Sequence, residues 1–448
     1  MRWFRGFGLV VILCLGLLPF GVAGAEGDGA PVLSLEAAIA LALLDNPSVQ
    51  IAELDVEQAG DHINAARADY FPQMKATVRS YRNLDAQSYT IDQGALGTFA
   101  ATGPIPATDT QIGTADRWTK TVGLTIQQSL SGIYQVVMEV EKLSVQERLE
   151  AESLRSELQD TARQVKQKYY EIQASQSDIS YIQSSIDFYV ALVKELGDQY
   201  AQQTVLQYEL LDAEARLADA RQQEFAKRND IESQKEELNN LMGRATDEPF
   251  RVADELLAPV IVIGQQEAQD RALAQRPDMR SAELNVILAQ KGVDITEYGY
   301  VPDIDLILDY SHANNNFMPD ESLYVGIFLS WEFYDWGRRA NEIAAGKLSV
   351  SQAQIDVVRT RSDIIAQVNS ALRDLQNAQA EVDVARMAQI AGVERLRVTK
   401  NRYDQGVELL DDLFDAEEDL NEANNEYVEA VLSVLNAQAE LAQAMGEE

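Results

Sequence analysis

Carboxylates dominate the reactive side chains of this 448-residue chain: 72 Asp and Glu stand against 37 Lys and Arg, with two histidines and one cysteine. Groups of these types could act as general acids and bases, cleave a glycosidic bond, or hold a metal. Their spacing supports none of the three. With so many acids, close pairs arise by chance, and no pocket-forming pattern accompanies any pair as a glycosidase couple requires. His62 and His312 lie far apart, and the single cysteine, Cys14, falls in a leading apolar segment, so no zinc site is expected. No glycine-rich phosphate loop follows a strand, so no ATP motor is expected either. The sequence reads as a non-enzyme with no catalytic residues, no metal and no cofactor.

What the acids leave is charge. The formal net charge is −35, and it becomes −37 without the leading segment, which carries Arg2 and Arg5 and no acid. A surface of that sign excludes nucleic acid and anionic lipid headgroups as partners and suits either a cation-attracting lumen or a well-solvated helical protein. Residues 1–25 read as a signal peptide: a basic start, an apolar run from Phe7 to Leu18, and the small residues Ala23-Gly24-Ala25. Beyond residue 25 no run of 18 apolar residues occurs, so any membrane entry must be as a closed β-barrel.

The elements that would carry these charges are written twice. Asn46-Pro47, Ala52-Glu53-Leu54 and Tyr70-x-Pro72 return 230 positions later as Arg276-Pro277, Ala282-Glu283-Leu284 and Tyr300-x-Pro302. Tyr200, Asp212-Ala213-Glu214, Leu217 and Met242-Gly243 return 203 positions later as Tyr403, Asp415-Ala416-Glu417, Leu420 and Met445-Gly446. The expected organisation is repeat one over 26–245 and repeat two over 246–448, each one copy of a supersecondary unit. The 27-residue difference in offset falls between Pro72 and Val122, in a Gly-, Thr- and Asp-rich stretch, 83–117, that reads as a surface loop.

Within each repeat two short helices come first. Ser34 caps the first, and a second starts after Pro47. Period-two alternation then predicts strands at 73–82, 119–130, 303–311 and 323–333, each about the length that a tilted strand needs to cross a bilayer. Tyr310, Tyr324, Trp331 and Trp336 near their ends suit an interface belt. An ordinary half-buried hairpin on a soluble core is the open alternative. Long helical hairpins follow at 133–243 and 338–446, with apolar residues three and four apart and an extent of roughly 90–100 Å for the longer arm. Such a hairpin cannot bury its seam alone and needs its sister and further copies.

This order of elements resembles the TolC-like outer-membrane efflux family. The residues that carry the resemblance are Ala40-Leu41-Ala42 with Asn46-Pro47, Tyr70-Phe71-Pro72, Arg276-Pro277-Asp278, Phe333 to Arg339, and Tyr403-x-x-Gly406 followed by Leu413-Phe414-Asp415-Ala416-Glu417. Each motif is weak, but together they span nearly the whole chain. The resemblance implies a mostly α fold with a membrane β-barrel portion: a homotrimer in which four strands per subunit make a 12-stranded barrel, continued by an α-helical barrel through the periplasm. It implies a passive exit duct for efflux or type I secretion, working with a periplasmic adaptor and an inner-membrane transporter and contacting outer-membrane lipid.

The resemblance also places a constriction at Asp412 and Asp415, with Glu209 and Asp212 at the matching places of repeat one. Three apart on a helix, such acids share a face, and threefold symmetry would stack them as cation-selecting rings. Complementing the helix dipole is the alternative, left open here. Adaptor contacts are expected at the hairpin tips: Tyr403, Gly406 and Val407 in repeat two, Gln203 and Thr204 in repeat one. Two departures stand out. Glu408 occupies a position where the family often has a basic residue, and Gln203 replaces the tip glycine, so that the first turn is expected to differ in shape. A soluble periplasmic scaffold or adaptor is the rival reading, though no lipoyl-like or barrel module is present. The cargo is not legible.

Overall fold

The computed structural model describes residues 31–84, 87–115, 118–253, 262–314 and 320–447. The leading segment read as a signal peptide lies outside them. In chain order the elements are β1 (Val32–Leu33), α1 (Leu35–Asp45), α2 (Pro47–Ala68), β2 (Gln73–Arg82), β3 (Gln87–Ile91), β4 (Thr98–Phe99), β5 (Gly103–Pro104), β6 (Thr110–Ala115), β7 (Trp118–Ser129), α3 (Gly132–Ala201), α4 (Gln207–Leu241), β8 (Arg251–Val252), α5 (Gln265–Gln275), α6 (Pro277–Tyr298), β9 (Asp303–Ala313), β10 (Glu321–Ser330), α7 (Arg338–Asp404) and α8 (Leu410–Met445).

The long helices set the scale. α3 has 70 residues and α7 has 67, so each extends about 100 Å at 1.5 Å per residue. Two shorter helices flank each along its length. α4 covers the distal half of α3, where Lys227 pairs with Asp178 and Lys168 with Glu237, both at 2.8 Å. α2 covers the proximal half, where Gly60 lies against Glu147. In repeat two α8 and α6 do the same for α7, and α6 also reaches α3 through Lys291 and Glu141 at 2.6 Å.

Where flanking helices meet, the repeated x-Pro and Met-Gly pairs explain themselves. Asn46 caps α2 by accepting from the Ser48 and Val49 amides, and its Nδ2 donates to the Leu241 carbonyl at 2.8 Å. Pro47 sits at the first helical position, where no amide is needed. Gly243, with φ +68°, passes so close that a Cβ there would stand 2.1 Å from the Asp45 carbonyl oxygen. Gly446, with φ +81°, passes the Gln275–Arg276 backbone in the same way at 3.0 Å.

Two core clusters lie at these junctions and match residue for residue at the 203 offset. Val165, Ile172, Ile231, Leu238 and Met242 correspond to Val368, Leu375, Val434, Leu441 and Met445. Ala38 and Ala42 of α1, both fully buried, correspond at the 230 offset to Ala268 and Ala272 of α5.

The sheet runs β10-β9-β7-β2, antiparallel throughout, with β7 pairing β9 from Thr121↔Ala313 to Ser129↔Asp305. That ladder joins the repeats. It aligns apolar residues into continuous rows, such as Met74–Ile126–Leu308–Val325 and Ala76–Leu124–Tyr310–Leu323. The opposite face carries Lys75, Thr125 and Asp309, the last two hydrogen-bonded at 2.7 Å. Among the described residues no helix packs on the apolar face: Met74, Leu323 and Ile327 are 70–73% exposed. The half-buried hairpin alternative therefore falls, because neither face has a core against it.

Two expectations shift. β10 ends at Ser330, opposite Asp303, because Pro302 before β9 has no amide to extend the ladder. The chain then turns through Trp336 (φ 57°) and Gly337 (φ 84°), and Asp335 caps α7 by accepting from the Gly337 and Arg339 amides at 3.0 Å. The stretch read as a surface loop, 83–117, instead carries two small antiparallel ribbons, β3–β6 and β4–β5. Its glycines supply the turns: Gly94, Gly97 and Gly103 all have positive φ.

Candidate functional site at the helical tips

Each long hairpin reverses through one left-handed residue. In repeat two it is Gly406, φ 71°, whose amide bonds to Tyr403 O at 2.8 Å while Val407 N bonds to Arg402 O at 2.9 Å. In repeat one it is Gln203, φ 61°, with Gln203 N to Tyr200 O at 2.9 Å and Thr204 N to Gln199 O at 3.0 Å. These are the same turn, bond for bond. The expectation that Gln203 would give another shape is overturned: the paired bonds hold it in a conformation that costs a non-glycine residue about 1 kcal/mol or more. The Thr204 hydroxyl adds a bond to Gln199 O at 2.8 Å, which Val407 cannot make.

The return helices begin alike. Glu209 accepts from the Leu206 amide at 2.8 Å and Asp412 from the Leu409 amide at 3.0 Å. Glu209 and Asp412 thus each cap the start of a return helix. Asp415, one turn on, is exposed, as is Asp212 in repeat one. The two tips lie close together: the Tyr208 phenol is held above its ordinary pKa first by the charge of Glu209, then by slight burial, and also by Asp411 and Asp212. Tyr403 is half-buried, and burial followed by the charges of Glu195, Glu209 and Asp404 raises its pKa. Gln203 and Gly406 are exposed at the turns, and Val407 is 63% exposed. The end of the helical stack is thus a strongly acidic surface that concentrates cations. Glu408 is used locally: it pairs with Arg402 at 2.7 Å across its own turn.

Sequence reasoning missed one of the contacts that tie the two hairpins together. The Tyr189 hydroxyl of α3 donates to Glu417 of α8, which is only 3% exposed. Asn421 Nδ2 donates to the other carboxylate oxygen at 2.7 Å, and Ser185 Oγ donates to Asn421 Oδ1 at 2.7 Å. Burial and the bond to Glu417 push the Tyr189 phenol far above its ordinary value. Beside them the Arg216 guanidinium stacks on Phe414, 4.3 Å from its centroid. A polar groove of about 960 Å³ opens here between α3, α4 and α8. Glu417 could not have been singled out from the repeat, because Glu214 matches it and is exposed.

A sequence model of the family described as "Outer membrane efflux protein" matches residues 38–244 and 268–447. The toxin and drug export protein A of Aggregatibacter actinomycetemcomitans is 24% identical over 419 residues, covering 90% of this chain and 82% of that protein. Among solved structures, CusC superposes with a TM-score of 0.75 at 15% identity, over 95% of this chain and 96% of its own. The open state of the MtrE outer membrane channel of Neisseria gonorrhoeae gives 0.72 at 18% identity, over 92% and 89%. VceC from Vibrio cholerae gives 0.70 at 17% identity, over 92% and 96%.

Proposed function

Because the chain belongs to the outer membrane efflux protein family, we propose that it is the homotrimeric exit duct of a tripartite efflux or type I secretion assembly, fed by an inner-membrane transporter through a periplasmic adaptor. Members of this family are outer-membrane channels that extend into the periplasm, and this chain shares both location and fold class with them. The observation that carries closure on further copies is the four-stranded sheet: it is apolar and unpacked on one face, and its edge strands β2 and β10 are unpaired among the described residues. An open edge is not tolerated in hydrocarbon, so the sheet must close on further copies. Three copies joined β10 to β2 make 12 strands with lipid outside and Lys75, Thr125 and Asp309 toward water.

The helices lead to the same requirement. Within one chain they pack in the order α4, α3, α8, α7, leaving α4 and α7 as free edges. In the closed assembly Asp412 and Asp415 of each copy would line the periplasmic end, with Glu209 and Asp212 beside them, and select cations. Tyr403, Gly406, Val407, Gln203 and Thr204 would face the adaptor. The test is fractionation with gel analysis and bilayer recording. A heat-modifiable trimer in the outer membrane that forms conducting pores supports the reading, and a soluble monomer overturns it.

A further inference from the structure

The net charge of the chain argues against anionic headgroups as partners, but the sheet distributes that charge unevenly. β2 and β7 carry Lys75, Arg79, Arg82 and Lys120 and no acid, whereas β9 and β10 carry Asp303, Asp305, Asp309 and Glu321 and no Lys or Arg. The register sorts these charges by face. Lys75 stands in one row with Thr125 and Asp309 on the polar face, and Arg79 follows on the same side. Arg82, opposite Trp118, and Lys120, opposite Ser80, share the face of Met74, Val78 and Val122. The apolar face thus carries a basic pair at one end only, the end away from α3 and α7.

The level of the pair follows from the ladder. From Ile304 to the row of His312, Val122 and Val78 the apolar face climbs about 21 Å at the usual strand rise and barrel tilt, against about 25 Å for the apolar band of an outer-membrane barrel. Lys120 and Arg82 lie one and two side-chain steps higher. Their cations emerge where hydrocarbon gives way to headgroups, with the Trp118 indole at the same level. As diagonal neighbours across the ladder, their Cβ atoms are about 7–8 Å apart, a span that two long side chains close around one phosphate. Asn314 fixes the backbone behind them: it accepts from the Lys120 amide and donates through Nδ2 to the Trp118 carbonyl at 2.9 Å. Among the described residues neither Arg82 nor Lys120 forms an ion pair. Glu321, the one acid on this face of the strands, is two strands from β7, about 10 Å, and faces His312 at 3.9 Å. Charges more than about 8 Å away are largely screened at physiological salt, so the acids elsewhere do not cancel the pair.

We propose that Arg82 and Lys120 hold the phosphate of an anionic lipid headgroup in the leaflet on the far side from the long helices. The Arg82 guanidinium suits a bidentate contact and the Lys120 ammonium a point charge. The inference rests on the outer-membrane duct reading, which brings the apolar face against lipid, but the site is complete within one hairpin of one chain. Full-length protein extracted from membranes in a neutral detergent is mixed with equal amounts of dioleoyl phosphatidic acid and dioleoyl phosphatidylcholine. Native mass spectrometry reads the lipid retained. The parent is compared with Arg82→Gln, with Lys120→Gln, with both together, and with Lys75→Gln plus Arg79→Gln. The last pair removes the same charge from the polar face of the same sheet.

The parent is expected to retain phosphatidic acid in preference to phosphatidylcholine. Each substitution at Arg82 or Lys120 should lower that preference about fivefold, and the two together about thirtyfold. The polar-face pair should keep the parent's preference. A parent without preference, or equal loss in the two double variants, overturns the inference. So does full displacement of phosphatidic acid by the same concentration of inorganic phosphate, because the site would then serve a free anion. If the parent fractionates as a soluble monomer, the duct reading fails instead; a membrane-extracted protein without the preference fails the headgroup site alone.

Discussion

Gly243→Ala should be far more damaging than its repeat-two counterpart, Gly446→Ala. Both glycines are left-handed, so each alanine costs about 1–2 kcal/mol of backbone strain. The difference lies in what the new Cβ meets. At Gly243 it would stand 2.1 Å from the Asp45 carbonyl oxygen and 2.6 Å from its carbon, atoms that cannot rotate away. Restoring ordinary contact means moving that carbonyl by about 1.3 Å. A shift of that size takes Asn46 Nδ2, now 2.8 Å from Leu241 O, out of hydrogen-bonding range, for about 1 kcal/mol. It also disturbs the fully buried Ala38 and Ala42, for roughly 1–3 kcal/mol more. At Gly446 the nearest atoms are at 3.0 Å and need give only a few tenths of an ångström, and the equivalent Arg276–Ala444 bond is already long at 3.4 Å. The two substitutions should thus differ by about 2–4 kcal/mol, or from about thirtyfold to several hundredfold in local opening. Amide hydrogen exchange by mass spectrometry over 38–50 and 268–280 reads this directly. Equal loss of protection in the two variants would refute the steric argument.

The tips supply two further tests. Gln203→Gly removes the strain of a left-handed glutamine at an exposed site and should raise exchange protection at the Thr204 amide about fivefold, while Gly406→Gln should lower it at Val407 by a similar factor; a like-signed response at both turns counts against the shared geometry. Asp412→Asn with Asp415→Asn should weaken block of single-channel current by divalent cations, and unchanged block would remove these acids from the constriction.

How much of this was legible depended on whether a residue's role is local. Ser34, Asn46-Pro47 and the alternation from Met74 to Val78 act through their immediate neighbours, and their types reveal them. The end of β10 depended on Pro302 across the ladder, so a run of alternating residues reaching Phe333 overstated the strand. The ribbons in 83–117 left little alternation to read, because their strands are short and punctuated by left-handed glycines. At the tip, residue type misled: glutamine is a poor choice for φ 61°, and only the Tyr200 and Gln199 carbonyls explain why the chain holds it there. The fates of Glu417 and Glu214 diverge through tertiary partners, since Tyr189 of α3 covers Glu417 while Glu214 stands exposed on α4.

The order β2, β7, β9, β10 has a consequence of parity. Each strand runs opposite to its neighbour, so the two edge strands run in opposite directions. When β10 of one copy meets β2 of the next, the new pair is antiparallel too. In a ring of such copies the alternation would never break, whatever their number. The strands impose no count, and the size of the ring must be decided by how wide a cylinder the helices below can close.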